Sequence, residues 1–127
     1  MEVGLDTADA RTICIVEDDE AVRASTRLLL ETAGYRVLDF PSAEAFLAAH
    51  DVDANLLVLD LNMRELNGLE LLERLRARDC HIPAIVVTAN YARLETRYRK
   101  AGVLAVLIKP ASSKLLLAWI AKALPRG

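Results

Sequence analysis

The sequence predicts an α/β protein built around a parallel sheet with helices on both faces. Short apolar runs alternate with longer segments of helical periodicity along the 127 residues. The runs are apolar at nearly every position, which is typical of strands covered on both faces. Strict alternation of strands and helices favours right-handed βαβ units, so the strands are expected to run parallel.

Five runs rich in Val, Ile and Leu are the predicted strands, and the second is the least apolar. In chain order they are Thr12–Val16, Arg36–Phe40, Leu56–Leu59, Ala84–Val87 and Leu104–Ile108.

Five segments with helical spacing follow the strands. They are Glu20–Ala33, Ala43–His50, Gly68–Asp79, Tyr91–Ala101 and a last segment that starts at Ser112 or Ser113 and ends at Leu124. Gly34 and Gly102 end the first and fourth helices, and Ser42 caps the second. Five such units fit a flavodoxin-like (βα)5 doubly wound sandwich with strand order 2-1-3-4-5. We expect residues 1–10 to form an N-terminal extension and residues 11–127 to form one domain.

Composition and charge exclude several functional classes. The net charge of −2 comes without a basic stripe, so direct binding of nucleic acid is not expected. Residues 1–10 lack the pattern of a signal peptide, and no apolar run is long enough to cross a membrane. Cys14 and Cys80 lack metal-ligand spacing and are predicted to be free thiols. A cytoplasmic protein is expected.

Polar and charged residues stand where the predicted strands end. Glu17 and Asp18 follow the first strand, Asp60 the third, Thr88 the fourth and Lys109 the fifth. In open α/β sheets, ligands bind beyond the carboxyl ends of the strands, where the winding reverses. Carboxylates this close raise one another's pKa unless a cation offsets their repulsion. A hard divalent ion such as Mg²⁺ can do so, and the sequence therefore predicts a magnesium site.

Asp60 follows the central predicted strand and is the best held of the three acids. A carboxylate can attack phosphorus and form an aspartyl phosphate. An ammonium group and a hydroxyl, here those of Lys109 and Thr88, are suited to stabilise the transferred phosphoryl group.

These residues lie in motifs that resemble the receiver domain of response regulators in two-component signalling. The resemblance runs from about Arg11 to Leu124, and residues 42–47 are similar to receivers of the nitrogen-fixation regulator type. It is carried by Val16–Arg23, Leu59–Met63, Asn67–Leu71, Val87–Ala89 and Ile108–Pro110.

The resemblance implies a role for Asp60. It would accept a phosphoryl group from a sensor histidine kinase or a phosphotransfer protein, with Thr88 and Lys109 contacting the phosphoryl oxygens. A change of conformation would then signal to a partner. Such a protein modifies itself and has no turnover substrate, so we do not expect an enzyme.

The resemblance also implies the metal ligands. Asp18 would bind Mg²⁺ directly and Glu17 through water, while Asp60 and the backbone carbonyl of Asn62 would complete the protein ligands. The peptide bond before Pro110 would be cis.

Three positions depart from the family pattern. Arg64 replaces a frequent proline, Val106 replaces a Tyr or Phe, and Ala111 replaces a frequent Phe. These changes keep open the alternative of a degenerate receiver that acts as a phosphorylation-independent adaptor. Asn62 and Asn90, two residues beyond Asp60 and Thr88, are expected to flank the phosphoryl group and tune its hydrolysis.

Two other classes fit less well. An aspartate-nucleophile phosphatase generally needs an acid at position 62, where this chain has Asn62. A flavodoxin-like cofactor binder needs a phosphate-binding loop after the first strand, where this chain has acids.

The last helix, which contains Trp119, is apolar on almost every side. Such a helix is expected to be covered on every side. Trp119 and its neighbours could pack on the sheet. Alternatively, the last helix and the edge near Val106 could form a homodimer or partner surface.

Overall fold

The computed structural model describes residues 11–49, 52–89 and 94–125. The predicted extension at residues 1–10 lies outside this range, as do His50 and Asn90. The described strands are β1 (Thr12–Val16), β2 (Arg36–Phe40), β3 (Leu56–Asp60), β4 (Ala84–Thr88) and β5 (Val103–Ile108). The described helices are α1 (Glu20–Thr32), α2 (Ala43–Ala48), α3 (Gly68–Ala77), α4 (Glu95–Lys100) and α5 (Ser113–Ala123).

The five strands form one parallel sheet in the order β2-β1-β3-β4-β5. The predicted fold class and strand order are therefore confirmed. In the register of the sheet, Val16 pairs with Leu59, Asp60 with Val87, and Thr88 with Ile108. The carboxyl ends of β1, β3, β4 and β5 consequently lie along one edge.

Side chains from alternate strand positions enter two separate cores. Ile13 and Ile15 of β1 pack with α1 and α5, whereas Cys14 and Val16 pack with α2, α3 and α4. This division follows from the two-residue repeat of a strand. All residues of β3 and β4 are buried, as expected for central strands with helices on both faces.

Side-chain caps fix the starts of four helices. Asp19, Ser42, Asn67 and Ser112 each accept a hydrogen bond from a backbone N–H in the first turn of the helix that follows. Ser112, rather than Ser113, is thus the cap of α5. The predicted stops at Gly34 and Gly102 are also confirmed, since both glycines adopt positive φ angles, of 98° and 74°.

Several element boundaries differ from the predicted ones. Asp60 and Thr88 are the last residues of β3 and β4 rather than the residues after them. The third helix ends before Asp79, whose φ of 63° is incompatible with helix. The described part of the fourth helix begins at Glu95, and the predicted start at Tyr91 lies outside the described residues.

Gly68, the first residue of α3, lies against the end of β3. A Cβ atom at this position would be 2.6 Å from the carbonyl oxygen of Asp60 and 3.3 Å from the Cβ of Leu59. A side chain would push α3 away from the strand, because interiors at this density do not absorb an added methyl group without shifts. The glycine therefore lets α3 begin directly beside Asp60.

Helix α5 buries Leu116 and Ile120 against the sheet, and Leu124, directly after the helix, continues this buried stripe. Trp119 is half-buried against the same core, and the Lys122 ammonium lies 5.1 Å from its ring centroid. Packing on the sheet therefore accounts for part of the apolar surface of α5. Leu115 remains 47% exposed.

Cys14 and Cys80 are both free, as predicted. Burial raises the pKa of Cys14 to about 12, so its thiol stays protonated and packs as a small apolar group. Across the described residues, the helices are all too short or too polar to span a bilayer.

Candidate functional site

The predicted site residues meet at the carboxyl edge of the sheet. Glu17 directly follows β1, Asp60 and Thr88 end β3 and β4, and Lys109 directly follows β5. Glu17, Asp60 and Thr88 are buried, with exposed fractions of 4%, 5% and 0%. Residues that are up to 92 positions apart in sequence therefore share one site.

Lys109 connects two of the acids. Its Nζ donates hydrogen bonds to Glu17 Oε1 at 2.7 Å and to Asp60 Oδ2 at 3.0 Å. The backbone N–H of Lys109 donates to the Thr88 carbonyl at 2.7 Å, which ties this residue to the end of β4. The Lys109–Pro110 peptide bond is cis, as the resemblance implied.

The backbone of Glu17 is fixed on both sides. Its N–H donates to the carbonyl of Phe40 at 3.1 Å, and its own carbonyl accepts from Arg23 Nη1 at 2.8 Å. Arg23 is in turn 3.7 Å from a carboxylate oxygen of Asp39 in β2. Arg23 lies in one of the motifs that carry the resemblance, but the sequence did not predict its contact with the Glu17 carbonyl.

Asp18, which is exposed, completes a group of three acids. One carboxylate oxygen from each of Glu17, Asp18 and Asp60 lies within 4.8 Å of the other two. Carboxylate oxygens at this spacing suit a hard divalent cation. Because Asp18 is exposed, water can also reach the site as a ligand. The donor set therefore fits the predicted Mg²⁺.

The ionisation of Glu17 reflects its surroundings. Burial, followed by the nearby Asp60 carboxylate, raises the pKa of Glu17 to about 7, although the Lys109 ammonium opposes this rise. Burial alone would lower the pKa of Lys109, but its hydrogen bonds to Glu17 and Asp60 outweigh burial and raise that pKa. The site brings three carboxyl groups together with the single ammonium group of Lys109.

Asn62 makes side-chain contacts that the sequence did not predict. Its backbone N–H donates to Asp60 Oδ1 at 2.9 Å. Its side-chain Oδ1 accepts from the Thr88 hydroxyl at 2.7 Å and from the N–H of Ala89 at 3.1 Å. An asparagine just after a strand is a turn signal, but this pattern does not identify the partner of its side chain.

A cavity of about 610 Å³ lies between α1 and α5 and reaches the site. Its apolar walls include Val22, Leu29 and Leu116, and Asp60 and Lys109 lie at its polar end. Ala111 also lines it. A larger side chain at position 111 would fill part of this space.

The fold and site define a flavodoxin-like α/β protein with an acidic site at the point where the winding of the sheet reverses. A family model described as the response regulator receiver domain matches residues 13–121. The chain therefore belongs to the response regulator receiver domain family, and the predicted resemblance is confirmed. Receiver domains are signalling domains of two-component systems.

Curated relatives support this assignment. The transcriptional regulatory protein FixJ of Azorhizobium caulinodans is 37% identical over 115 residues, covering 89% of this chain and 54% of the relative. FixJ of Rhizobium meliloti is 38% identical over 114 residues, covering 88% of this chain and 56% of the relative. The chain thus spans about half the length of these relatives.

Solved structures show the same architecture. A CheY-like receiver domain protein from Methanospirillum hungatei JF-1 is 34% identical, with a TM-score of 0.82, and 91% of this chain and 94% of that chain are covered. The structure of FixJ-N is 37% identical, with a TM-score of 0.79 and coverages of 89% and 92%.

The raised pKa of Glu17 leads to a prediction about stability and pH in the absence of metal. Because the folded state holds a proton on Glu17 more tightly than the unfolded chain does, the free energy of unfolding should fall as pH rises from about 4.5 to 7. A shift of this size corresponds to at most about 3 kcal/mol. Glu17→Gln should remove this contribution.

The check is urea unfolding of the parent and Glu17→Gln with a chelator present, from pH 5 to pH 8. Taking the difference between the two proteins cancels the contribution of groups that titrate in the same way in both. Parallel pH curves for the two proteins would show that Glu17 titrates normally.

Proposed function

We propose that this chain is a phosphoacceptor receiver domain, with Asp60 as the acceptor. The observation that supports the proposal is the position of Asp60. Its buried carboxylate lies 3.0 Å from the Lys109 ammonium and in a group with Glu17 and Asp18. An anion joining this carboxylate would meet a positive charge already in place.

In the proposed reaction, an oxygen of the Asp60 carboxylate attacks the phosphorus of a phosphohistidine. The bond between phosphorus and the imidazole nitrogen breaks, and the imidazole leaves with the electron pair and takes up a proton. The donor would be a sensor histidine kinase or a phosphotransfer protein. The donor would approach Asp60 from the cavity between α1 and α5, which Asp60 lines.

The side chains around Asp60 have separate proposed roles. Lys109 would pair with an oxygen of the transferred phosphoryl group, and the Thr88 hydroxyl would donate a hydrogen bond to another. Bound Mg²⁺ would neutralise charge on the phosphoryl oxygens. Asp18, Glu17, Asp60 and the backbone carbonyl of Asn62 would hold the ion, with Glu17 contacting it through water.

Phosphorylation is proposed to act as a switch. The two states would differ in contacts that exist only when the phosphoryl group is present, as any ligand-driven change requires. The alternative is an adaptor that has the same fold but works without phosphorylation of Asp60.

The apolar surface of β5 and α5 favours a homodimer as one output of this switch. Strand β5 is at the edge of the sheet and contains no charged residue. Leu104 and Ile108 of this strand are 44% and 51% exposed, and Leu115 of α5 is also exposed. An uncharged apolar edge strand is a natural pairing surface.

Phosphorylation is tested by incubating the protein with phosphoramidate and Mg²⁺ and measuring the intact mass. The parent should gain one phosphoryl group, and Asp60→Asn should gain none. Asp53→Asn is a matched control, because Asp53 is an exposed acid shortly before β3, and it should react like the parent.

Removing Mg²⁺ with a chelator should slow the reaction strongly. An unmodified parent, with Mg²⁺ present, would favour the adaptor instead. Modification of Asp60→Asn would mean that another residue is the acceptor.

The dimer is tested with Leu104→Glu, which places a charge on the apolar edge. Sedimentation of the parent with beryllofluoride, a mimic of the phosphoryl group, should show a dimer, and Leu104→Glu should be monomeric. Leu28→Glu is the control, since Leu28 is 67% exposed on α1, away from this edge, and it should still dimerise. A parent that is monomeric both with and without beryllofluoride would rule out the proposed dimer.

A further inference from the structure

The Asn62 side chain joins the acceptor strand to the end of β4. Asn62 contacts Asp60 through its backbone N–H, while its side-chain oxygen contacts both Thr88 and Ala89. Thr88 is fully buried and Asn62 is exposed. The buried hydroxyl is therefore bonded to a side chain that follows Asp60 by only two positions.

The direction of the hydrogen bond between Thr88 and Asn62 follows from Ala89. The backbone N–H of Ala89 can only donate, so the atom that it meets at 3.1 Å must be the carbonyl oxygen of the Asn62 amide. The Thr88 hydroxyl lies 2.7 Å from this same oxygen and must also donate. Since a hydroxyl has one proton, the Thr88 proton is directed at Asn62.

We propose that Asn62 is a positioning residue that holds Thr88 in its resting orientation, and that phosphorylation of Asp60 competes with Asn62 for the Thr88 proton. This inference rests on the proposed function, in which Thr88 donates to a phosphoryl oxygen. It adds a competing acceptor to that step: the hydrogen bond from Thr88 to the Asn62 amide has to break before Thr88 can donate to the phosphoryl oxygen.

The exchange is favourable and leaves no buried group unpaired. A phosphoryl oxygen is charged, and hydrogen bonds to charged acceptors are roughly twice as strong as those between neutral groups. Asn62 keeps its hydrogen bond from Ala89 and is exposed to water. Part of the free energy that Thr88 gains from its hydrogen bond to the phosphoryl oxygen is therefore used to break the Asn62–Thr88 hydrogen bond.

Asn62→Ala removes the amide but keeps the backbone N–H and carbonyl, so the contact with Asp60 and the proposed metal ligand are preserved. The variant should bind beryllofluoride about three- to tenfold more tightly than the parent at saturating Mg²⁺, because one neutral hydrogen bond no longer opposes binding. The measurement is calorimetric titration with beryllium in excess fluoride.

Variants of Thr88 show whether the effect acts through the hydroxyl. In a Thr88→Val background, Asn62→Ala should leave the affinity for beryllofluoride unchanged, whereas in a Thr88→Ser background the gain should persist. Asn55→Ala is the matched control, because the Asn55 side chain also accepts a hydrogen bond, here from the backbone N–H of Thr12 in β1 at 2.9 Å. It should lower stability without changing this affinity.

A second measurement examines the resting contact without any phosphoryl mimic. Urea unfolding of the parent, Asn62→Ala, Thr88→Val and the double variant should show a coupling of about three- to tenfold in the unfolding equilibrium constant. Any of three results would overturn the inference. The unfolding cycle could show no coupling, Asn62→Ala could bind beryllofluoride no more tightly than the parent, or the gain in affinity could persist in the Thr88→Val background. A parent that binds no beryllofluoride would instead refute the proposed function, while the unfolding cycle would still test the Asn62–Thr88 contact.

Discussion

The contact of one ammonium group with two buried carboxylates is the interaction on which the rest of this site depends. Glu17 directly follows β1, Asp60 ends β3 and Lys109 directly follows β5, so the contact depends on the carboxyl ends of these three strands lying at one edge of the sheet. A buried carboxylate without a partner is costly. Lys109 therefore makes the acidic strand ends compatible with the fold, and the charge that it leaves uncompensated makes the site suitable for a divalent cation.

The four consecutive acids after β1 divide into two pairs with different roles. Glu17 and Asp18 point to the site. Asp19 instead caps α1 by accepting a hydrogen bond from the N–H of Val22 at 3.0 Å, and Glu20 lies in the first turn, where the helix dipole favours negative charge. The first two acids therefore belong to the site, and the next two begin α1. The start of α1 fixes the direction in which the chain leaves the site.

The sequence predicted the sheet order and the convergence of Glu17, Asp18, Asp60, Thr88 and Lys109, because parallel strands place their carboxyl ends at one edge. It also placed the Lys109 ammonium near Asp60. It did not predict that Lys109 also contacts Glu17 or that Asn62 binds Thr88, because these contacts depend on loop conformations that short turn signals do not determine. The apolar pattern of α5 was likewise ambiguous, since only packing shows that Leu116 is buried and Leu115 is not.

The role of Lys109 is tested most directly by the stability of Lys109→Met at pH 8, with and without Mg²⁺. Without metal, the variant should unfold more easily than the parent by about 3 kcal/mol, because the buried carboxylates of Glu17 and Asp60 lose their shared cation. Mg²⁺ should restore most of the loss by supplying positive charge at the same acids. A metal-free variant as stable as the parent would show that Lys109 does not hold this site together.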